Sequence, residues 1–121
     1  AGGAVEAYLY EGGFGEAVGA DGYDQLFNIE NLTGGAFSDI LFGNSEANVL
    51  DGGGGHDFLQ ARGGDDIVYG GTGDDYLGGG TGNDSLYGDS AATEKGNDTL
   101  LGGSGNDALH GGGEPAQVAA E

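Results

Sequence analysis

The sequence predicts an all-β fold, a flattened coil of short, stacked parallel strands, and three observations carry that prediction. A nine-residue unit, GGxGxDxUx with U a large aliphatic residue, recurs from Gly34 almost to the end of the chain. In that frame the eighth position reads Leu41, Leu50, Leu59, Val68, Leu77, Leu86, Leu100 and Leu109, an unbroken aliphatic column. Glycine supplies 31 of the 121 residues and there is no cysteine, methionine or tryptophan, so bulky core material is scarce outside that column.

Taken in order, Val5 to Tyr10 and Tyr23 to Leu32 are strand-like and are expected to cap the first coil, which makes residues 1–33 an N-terminal capping segment. The units then run 34–42, 43–51, 52–60, 61–69, 70–78 and 79–87, and those starting at Gly70 and Gly79 match the pattern nearly perfectly. The next is stretched, from Gly88 to Leu101, with the extra residues between Ser90 and Lys95, where a solvated loop is expected to bulge from one edge. Phase resumes at Gly102 to His110 and ends in Gly111-Gly112-Gly113, so the repeats fill 34–113 and residues 114–121 form a tail. Positions 7 to 9 suit a very short strand whose central side chain points inward, and the glycine-rich residues before it suit a turn. Such strands cannot bury a face alone. Stacked with two units per coil, they place every position 8 in one core.

Charge bounds the partners. Twenty-one acidic residues face only Arg62 and Lys95, a formal net charge of -19, which argues against nucleic acid or an anionic membrane surface and for cations. No apolar run approaches a membrane span, and no charged-then-apolar leader opens the chain, which begins at Ala1 and reads as an excised or processed piece.

The sixth position gives the acidity a purpose. It reads Asp39, Asn48, Asp57, Asp66, Asp75, Asp84, Asp98 and Asp107, and with two units per coil these alternate between the two edges of the roll. Neighbours on one edge would stand one strand spacing apart, roughly 4.8 Å, where like charges repel. A hard divalent cation between them reverses the sign, because calcium takes about 6 to 8 oxygens and accepts carbonyls as readily as carboxylates. High charge with few large apolar residues is otherwise the composition of a disordered chain. Without cysteine there is no disulfide staple, and bound metal is the expected substitute.

The repeats, with the lead-in Asn28-Ile29-Glu30-Asn31-Leu32-Thr33-Gly34-Gly35, resemble the RTX family of calcium-binding proteins exported by Gram-negative type I secretion systems, over about two thirds of the chain. The resemblance implies a right-handed parallel β-roll with calcium in the edge turns. It also implies a ligand scheme: carbonyls of positions 2 and 4 with the Asp of one turn, and carbonyls of positions 1 and 3 with the Asp of the turn two repeats on. Carried over, one site would use Gly53, Gly55 and Asp57 with Gly70, Thr72 and Asp75. Another would use Gly80, Gly82 and Asp84 with Gly102, Ser104 and Asp107. A third would use Arg62, Gly64 and Asp66 with Gly79, Thr81 and Asp84, where Ala61-Arg62 replaces two glycines and is expected to strain the turn. A fourth would use Gly71, Gly73 and Asp75 with Gly88 and Asp98, the stretched turn leaving one carbonyl unassigned. In the first two units Phe37 and Glu46 occupy the position-4 glycine and Asn48 replaces an aspartate, and at the far end Ala116 stands where an aspartate is needed, so about four sites are expected.

The functional expectation is an extracellular, calcium-triggered folding module that supports secretion and folding of a larger protein and packs against its adjoining domains. The alternative is a module that binds a polysaccharide or a surface, suggested by the outward Ile40, Phe42, Phe58, Ile67, Tyr69, Tyr76 and Tyr87. No catalytic constellation is present: His56 and His110 fall at variable repeat positions, and the carboxylates are spaced for metal ligation. An enzyme elsewhere in a parent protein remains compatible with this reading.

Overall fold

The computed structural model describes residues 3–12, 14–19, 22–27, 30–89, 96–112 and 117–119. Thirteen strands follow the chain: β1 (Glu6–Tyr10), β2 (Phe14–Gly19), β3 (Gly22–Phe27), β4 (Asn31–Thr33), β5 (Ile40–Phe42), β6 (Val49–Gly54), β7 (Phe58–Gln60), β8 (Ile67–Thr72), β9 (Tyr76–Thr81), β10 (Ser85–Tyr87), β11 (Thr99–Ser104), β12 (Ala108–His110) and β13 (Gln117–Ala119). From β4 onward they alternate between two parallel sheets. One sheet runs β13-β11-β9-β7-β5-β1-β2-β3 and the other β12-β10-β8-β6-β4. This is the parallel β-roll expected from the nine-residue period.

The register shows the two-unit coil directly. Ile40 pairs with Phe58 and Phe58 with Tyr76, steps of 18 residues, while Tyr76 pairs with Thr99, a step of 23. The stretched repeat therefore inserts five residues (23 minus 18) without disturbing the ladder. Residues 90–95, where the loop is expected, lie outside those described.

Position 8 forms the core. Leu41, Leu50, Leu59, Val68, Leu77, Leu86 and Leu100 are buried in a single cluster, together with Leu32 of β4, Ala7 and Leu9 of β1, and Ala61. Leu109 is only partly covered, because β12 is the last strand of its sheet. The flat coil suits side chains that carry no polar atoms into so thin an interior.

At the N-terminal end the strands change direction. Strand β1 pairs in parallel with β5, as a further rung would, and β1, β2 and β3 then form an antiparallel meander that prolongs one sheet only. The sequence predicts strands at both flanks of this segment but not β2. At the other end β13, within the stretch expected to be a tail, adds a parallel rung to β11.

Outward side chains at positions 7 and 9 stack along the coil. Tyr8 lies on Phe42 with ring centroids 4.8 Å apart, Phe58 on Tyr76 at 5.0 Å, Tyr69 on Tyr87 at 5.2 Å and Tyr87 on His110 at 4.7 Å, all nearly coplanar pairs. These contacts tie successive rungs together, adding roughly 0.5–1.5 kcal/mol per pair beyond burial.

Candidate metal centres

Each sixth-position carboxylate holds the coil above it. The backbone N–H of Asp39 donates to Oδ1 of Asp57 at 2.8 Å, that of Asp57 to Asp75 at 2.8 Å, and that of Asp75 to Asp98 at 3.0 Å. On the other edge Asn48 N–H donates to Asp66 at 2.7 Å, Asp66 to Asp84 at 2.9 Å and Asp84 to Asp107 at 2.9 Å. Nothing in the nine-residue pattern announces this relay. It appears only when residues two repeats apart are stacked.

The relay uses one oxygen of each carboxylate and leaves the other. Oδ2 of Asp57, Asp66, Asp75, Asp84 and Asp98 is buried and accepts no hydrogen bond. A buried charged oxygen without a partner costs free energy that the protein itself does not return. Burial accordingly pushes these carboxyls up, Asp57 to about 6 and Asp66 and Asp75 to about 7, against the lowering effect of the relay hydrogen bond. Neighbouring carboxylates raise them further, Asp39 acting on Asp57, Asp84 on Asp66, and Asp57 and Asp98 on Asp75. Asp84 and Asp98 are raised for the same leading reason.

Backbone carbonyls converge on the same places. A Cβ built on Gly52 would come within 3.0 Å of both Asp57 Oδ2 and the Gly70 carbonyl oxygen. The equivalent position on Gly70 meets Asp75 Oδ2 and Gly88 O, and on Gly79 it meets Asp84 Oδ2 and Gly102 O. The carbonyls of Gly53 and Gly55 point at Gly71 and Gly73, those of Arg62 and Gly64 at Gly80 and Gly82, and those of Gly80 and Gly82 at Gly103 and Gly105. Position-1 glycine thus leaves a cradle walled by a carboxylate oxygen and a carbonyl from the next turn. Positions 2 and 4 aim further carbonyls along the edge.

The backbone conformation that permits this is left-handed. Position 2 has φ of 92° at Gly53 and 102° at Gly71, and position 4 has 102° at Gly55 and 115° at Gly73. Glycine adopts such angles without a Cβ clash. Arg62 does so as well, with φ 82°, the one non-glycine residue with positive φ among those described, at a cost of about 1–2 kcal/mol. Its guanidinium lies over the Phe42 ring, 5.0 Å from the centroid, a cation–π contact that offsets part of the strain by about 0.5–1 kcal/mol. The strain expected for this turn is present. Ala61 beside it is fully buried, its methyl occupying the position that glycine leaves open in the neighbouring turns.

Among the described residues no group of three or more His, Cys, Asp or Glu side chains gathers to hold a metal. Paired carboxylate oxygens walled by carbonyls are instead the donor set of a hard cation that accepts both. A model of the RTX calcium-binding nonapeptide repeat matches the chain four times, over residues 28–59, 52–86, 60–94 and 85–114.

The chain belongs to the RTX family. Those matches span the coil from its lead-in strand to the last glycines and coincide with both Asp ladders. No curated protein matches the chain. RTX repeats are calcium-binding elements and typically non-catalytic, in keeping with the environment of the two histidines. His56 Nδ1 accepts the Asp74 N–H at 2.8 Å, and His110 stacks on Tyr87. His56 is thus one rung in a column of exposed fifth-position side chains, which continues with Asp74 accepting from Asn97 and is matched on the other edge by Asp65 accepting from Asn83.

The first two RTX units differ from the rest. Asp39 Oδ2 accepts the Gly35 N–H at 2.7 Å and Asn48 Oδ1 accepts the Asn44 N–H at 2.9 Å, so the oxygen left over elsewhere is satisfied here by position 2 of its own turn. Neither Gly35 nor Asn44 has positive φ. Their missing glycines set these units apart in the sequence, but the pattern gives no account of Asn48. Its Nδ2 donates to the Glu30 carbonyl at 3.0 Å, which a carboxylate could not do.

Proposed function

We propose that this chain is an extracellular RTX module whose coil folds when calcium binds along its two edges, and that it supports export and folding of a larger type I secreted protein. The observation that carries the reading is the row of buried Oδ2 atoms without partners, those of Asp57, Asp75, Asp84 and Asp98 each sharing a cradle with a carbonyl of the turn stacked next along the edge. Calcium bound there would supply the positive charge that these buried carboxylates lack.

The ligand sets follow the turns that expose such oxygens. Gly53, Gly55 and Asp57 with Gly70, Thr72 and Asp75 form one, and Gly80, Gly82 and Asp84 with Gly102, Ser104 and Asp107 another. Arg62, Gly64 and Asp66 with Gly79, Thr81 and Asp84 form a third, hampered by the Ala61 methyl. Gly71, Gly73 and Asp75 with Gly88 and Asp98 form the fourth. The affinity expected of extracellular modules, about 10⁻⁴ to 10⁻³ M, leaves the chain metal-free in a low-calcium cytosol and loaded outside. A net charge of -19 keeps the metal-free chain extended and soluble during export.

Circular dichroism during a calcium titration tests the reading. A cooperative gain of β signal between micromolar and millimolar calcium is expected, reversed by chelator. A spectrum indifferent to the ion would remove the proposal.

A further inference from the structure

The two ends of the coil are finished differently. At the N-terminal end Leu9 is fully buried and Leu32 is only 7% exposed, whereas at the other end Leu109 of β12 is only partly covered. Asp107 beside it is half-buried, unlike the buried aspartates of the earlier turns, and His110 is exposed. Strand β12 ends its sheet, so among the described residues one of its edges has no neighbour. The other edge is fully used: the Ala108 N–H donates to the Asp84 carbonyl and the His110 carbonyl accepts from Gly88, both at 2.8 Å. Strand alternation turns the backbone groups of Asp107 and Leu109 to the free edge. One rung earlier the Asp84 N–H donates to the Asp107 carboxylate, Leu86 pairs with Leu109 and Tyr87 with His110. A segment that continued this pattern would carry an acid, an aliphatic residue two positions on, and a ring next to it.

The chain holds such a segment at its opposite end. Strand β3 ends the longer sheet and reads Asp24-Gln25-Leu26-Phe27 in its last four residues. It is antiparallel to β2, which is antiparallel to β1, and β1 is parallel to β5, so β3 runs in the direction of the coil strands. Leu26 pairs with Gly15 and Gly15 with Leu9 of the core, which gives Leu26 the alternation of position 8. The hydrogen-bond phase agrees. The Ile40 N–H donates to the Val5 carbonyl, and alternation from there through β1 and β2 leaves the backbone groups of Gln25 and Phe27 on the free edge of β3. Within the coil, positions 7 and 9 turn the same groups toward the preceding rung, as Ser85 does in donating to the Asp66 carbonyl. A slip of one residue would break both matches. Neither of the other end strands fits, because β4 finishes in Thr33 and β13 in Ala119 where a ring is called for.

We infer that copies of this chain join head to tail, β3 of one adding to the free edge of β12 of the next as a parallel rung, with Asp24 set against Asp107, Leu26 against Leu109 and Phe27 against His110. The junction is heterologous. Each pair keeps one free β3 and one free β12, so association continues beyond the dimer. A net charge of -19 on each copy opposes the approach, and salt that screens the repulsion strengthens the assembly. The inference goes beyond the calcium-dependent role proposed above and requires only the folded coil.

Sedimentation equilibrium of the calcium-loaded full chain at physiological salt tests it. The average mass should climb with concentration past that of a dimer, and a monomer at every concentration up to the solubility limit would overturn the inference. Leu109→Glu closes the β12 edge, and Gln25→Pro removes an N–H from the free edge of β3 alone. Each variant should sediment as a monomer with its calcium-loaded circular dichroism unchanged. An equimolar mixture of the two should give a dimer and nothing larger, because one intact β12 then meets one intact β3. A mixture that stays monomeric, or variants that assemble like the unaltered chain, would refute the junction. Should a variant fail to fold, a synthetic peptide of residues 22–27 in excess over the unaltered chain decides: it should dissociate the assemblies, and assemblies that ignore it count against the junction. Circular dichroism of the same samples in chelator reads the calcium dependence separately, so failure of the proposed function leaves the sedimentation result standing.

Discussion

The first two turns of the coil and the turns that follow solve the same problem in opposite ways. Both bury a sixth-position oxygen. At Asp39 and Asn48 a backbone N–H from position 2 of the same turn meets it, and the turn is complete in itself. At Asp57, Asp66, Asp75 and Asp84 positions 2 and 4 of the turn adopt left-handed angles, and Oδ2 is left without a donor. The switch follows position 4. Phe37 and Glu46 carry a Cβ that disfavours positive φ, whereas Gly55, Gly64, Gly73 and Gly82 adopt it. Left-handed turns and an unanswered oxygen thus go together at four aspartates, while Asp98 keeps an unanswered Oδ2 in a turn where neither Asp89 nor Gly96 has positive φ.

Chelation should separate the two regions most strongly. Removing calcium is expected to abolish the β signal of the coil from Val49 onward. Four sites at ten times their dissociation constant contribute roughly 6 kcal/mol, comparable with the stability of a small domain. Hydrogen exchange with and without chelator checks this residue by residue. Amides of β6 to β11 that remained protected without metal would break the contrast.

Substitution at the ladder comes next. Asp75 is shared by two proposed sites, and Asp75→Asn is expected to raise the calcium midpoint by about tenfold or more, a loss of about 1.4 kcal/mol or greater. Asp39→Asn, in a self-satisfied turn, should move it little. Calorimetric titration of both variants makes the comparison, and equal shifts would count against it.

Acidity should act with opposite sign on the two forms. The carboxyls of Asp57, Asp66 and Asp75 are raised in the folded chain from 3.8 to about 6, 7 and 7, so the fold binds protons more tightly than the unfolded chain does. Their destabilisation of the metal-free coil is complete above about pH 7 and is lifted as pH falls toward about 4. Metal-free protein should therefore gain structure on acidification through that window, while calcium affinity falls because protons and the cation compete for the same oxygens. Circular dichroism across pH in chelator, beside calcium titrations at each pH, reads both trends.

Two smaller effects sharpen the picture. Asn48→Asp removes the donor to the Glu30 carbonyl and should cost about 1–2 kcal/mol in denaturant unfolding of the loaded protein. Ala61→Gly clears the methyl beside Asp66 and should tighten that site severalfold, visible as a lower calcium midpoint in the titration.

Much of this architecture is legible in the residues themselves. The eight aliphatics at position 8 mark the inward column, and seven of them are buried in the core. The sixth-position residues fall on two edges as their spacing requires, and the strain at Ala61-Arg62 follows from two missing glycines. Strand β2 escapes because its alternation is carried partly by glycine and alanine, which leave little periodic signal. The aromatic residues suggest a contact face because exposure can be read from period, whereas stacking between residues 18 apart cannot.

By itself the sequence determined the period, the rung at which each residue sits and the side of the sheet it faces, because those properties repeat locally every nine residues and a strand alternates strictly. Only the tertiary structure decided which oxygen of each carboxylate is answered and which is not. That outcome depends on the direction of peptide groups in turns stacked 18 or 23 residues apart, where each backbone N–H finds one carboxylate oxygen and leaves the other.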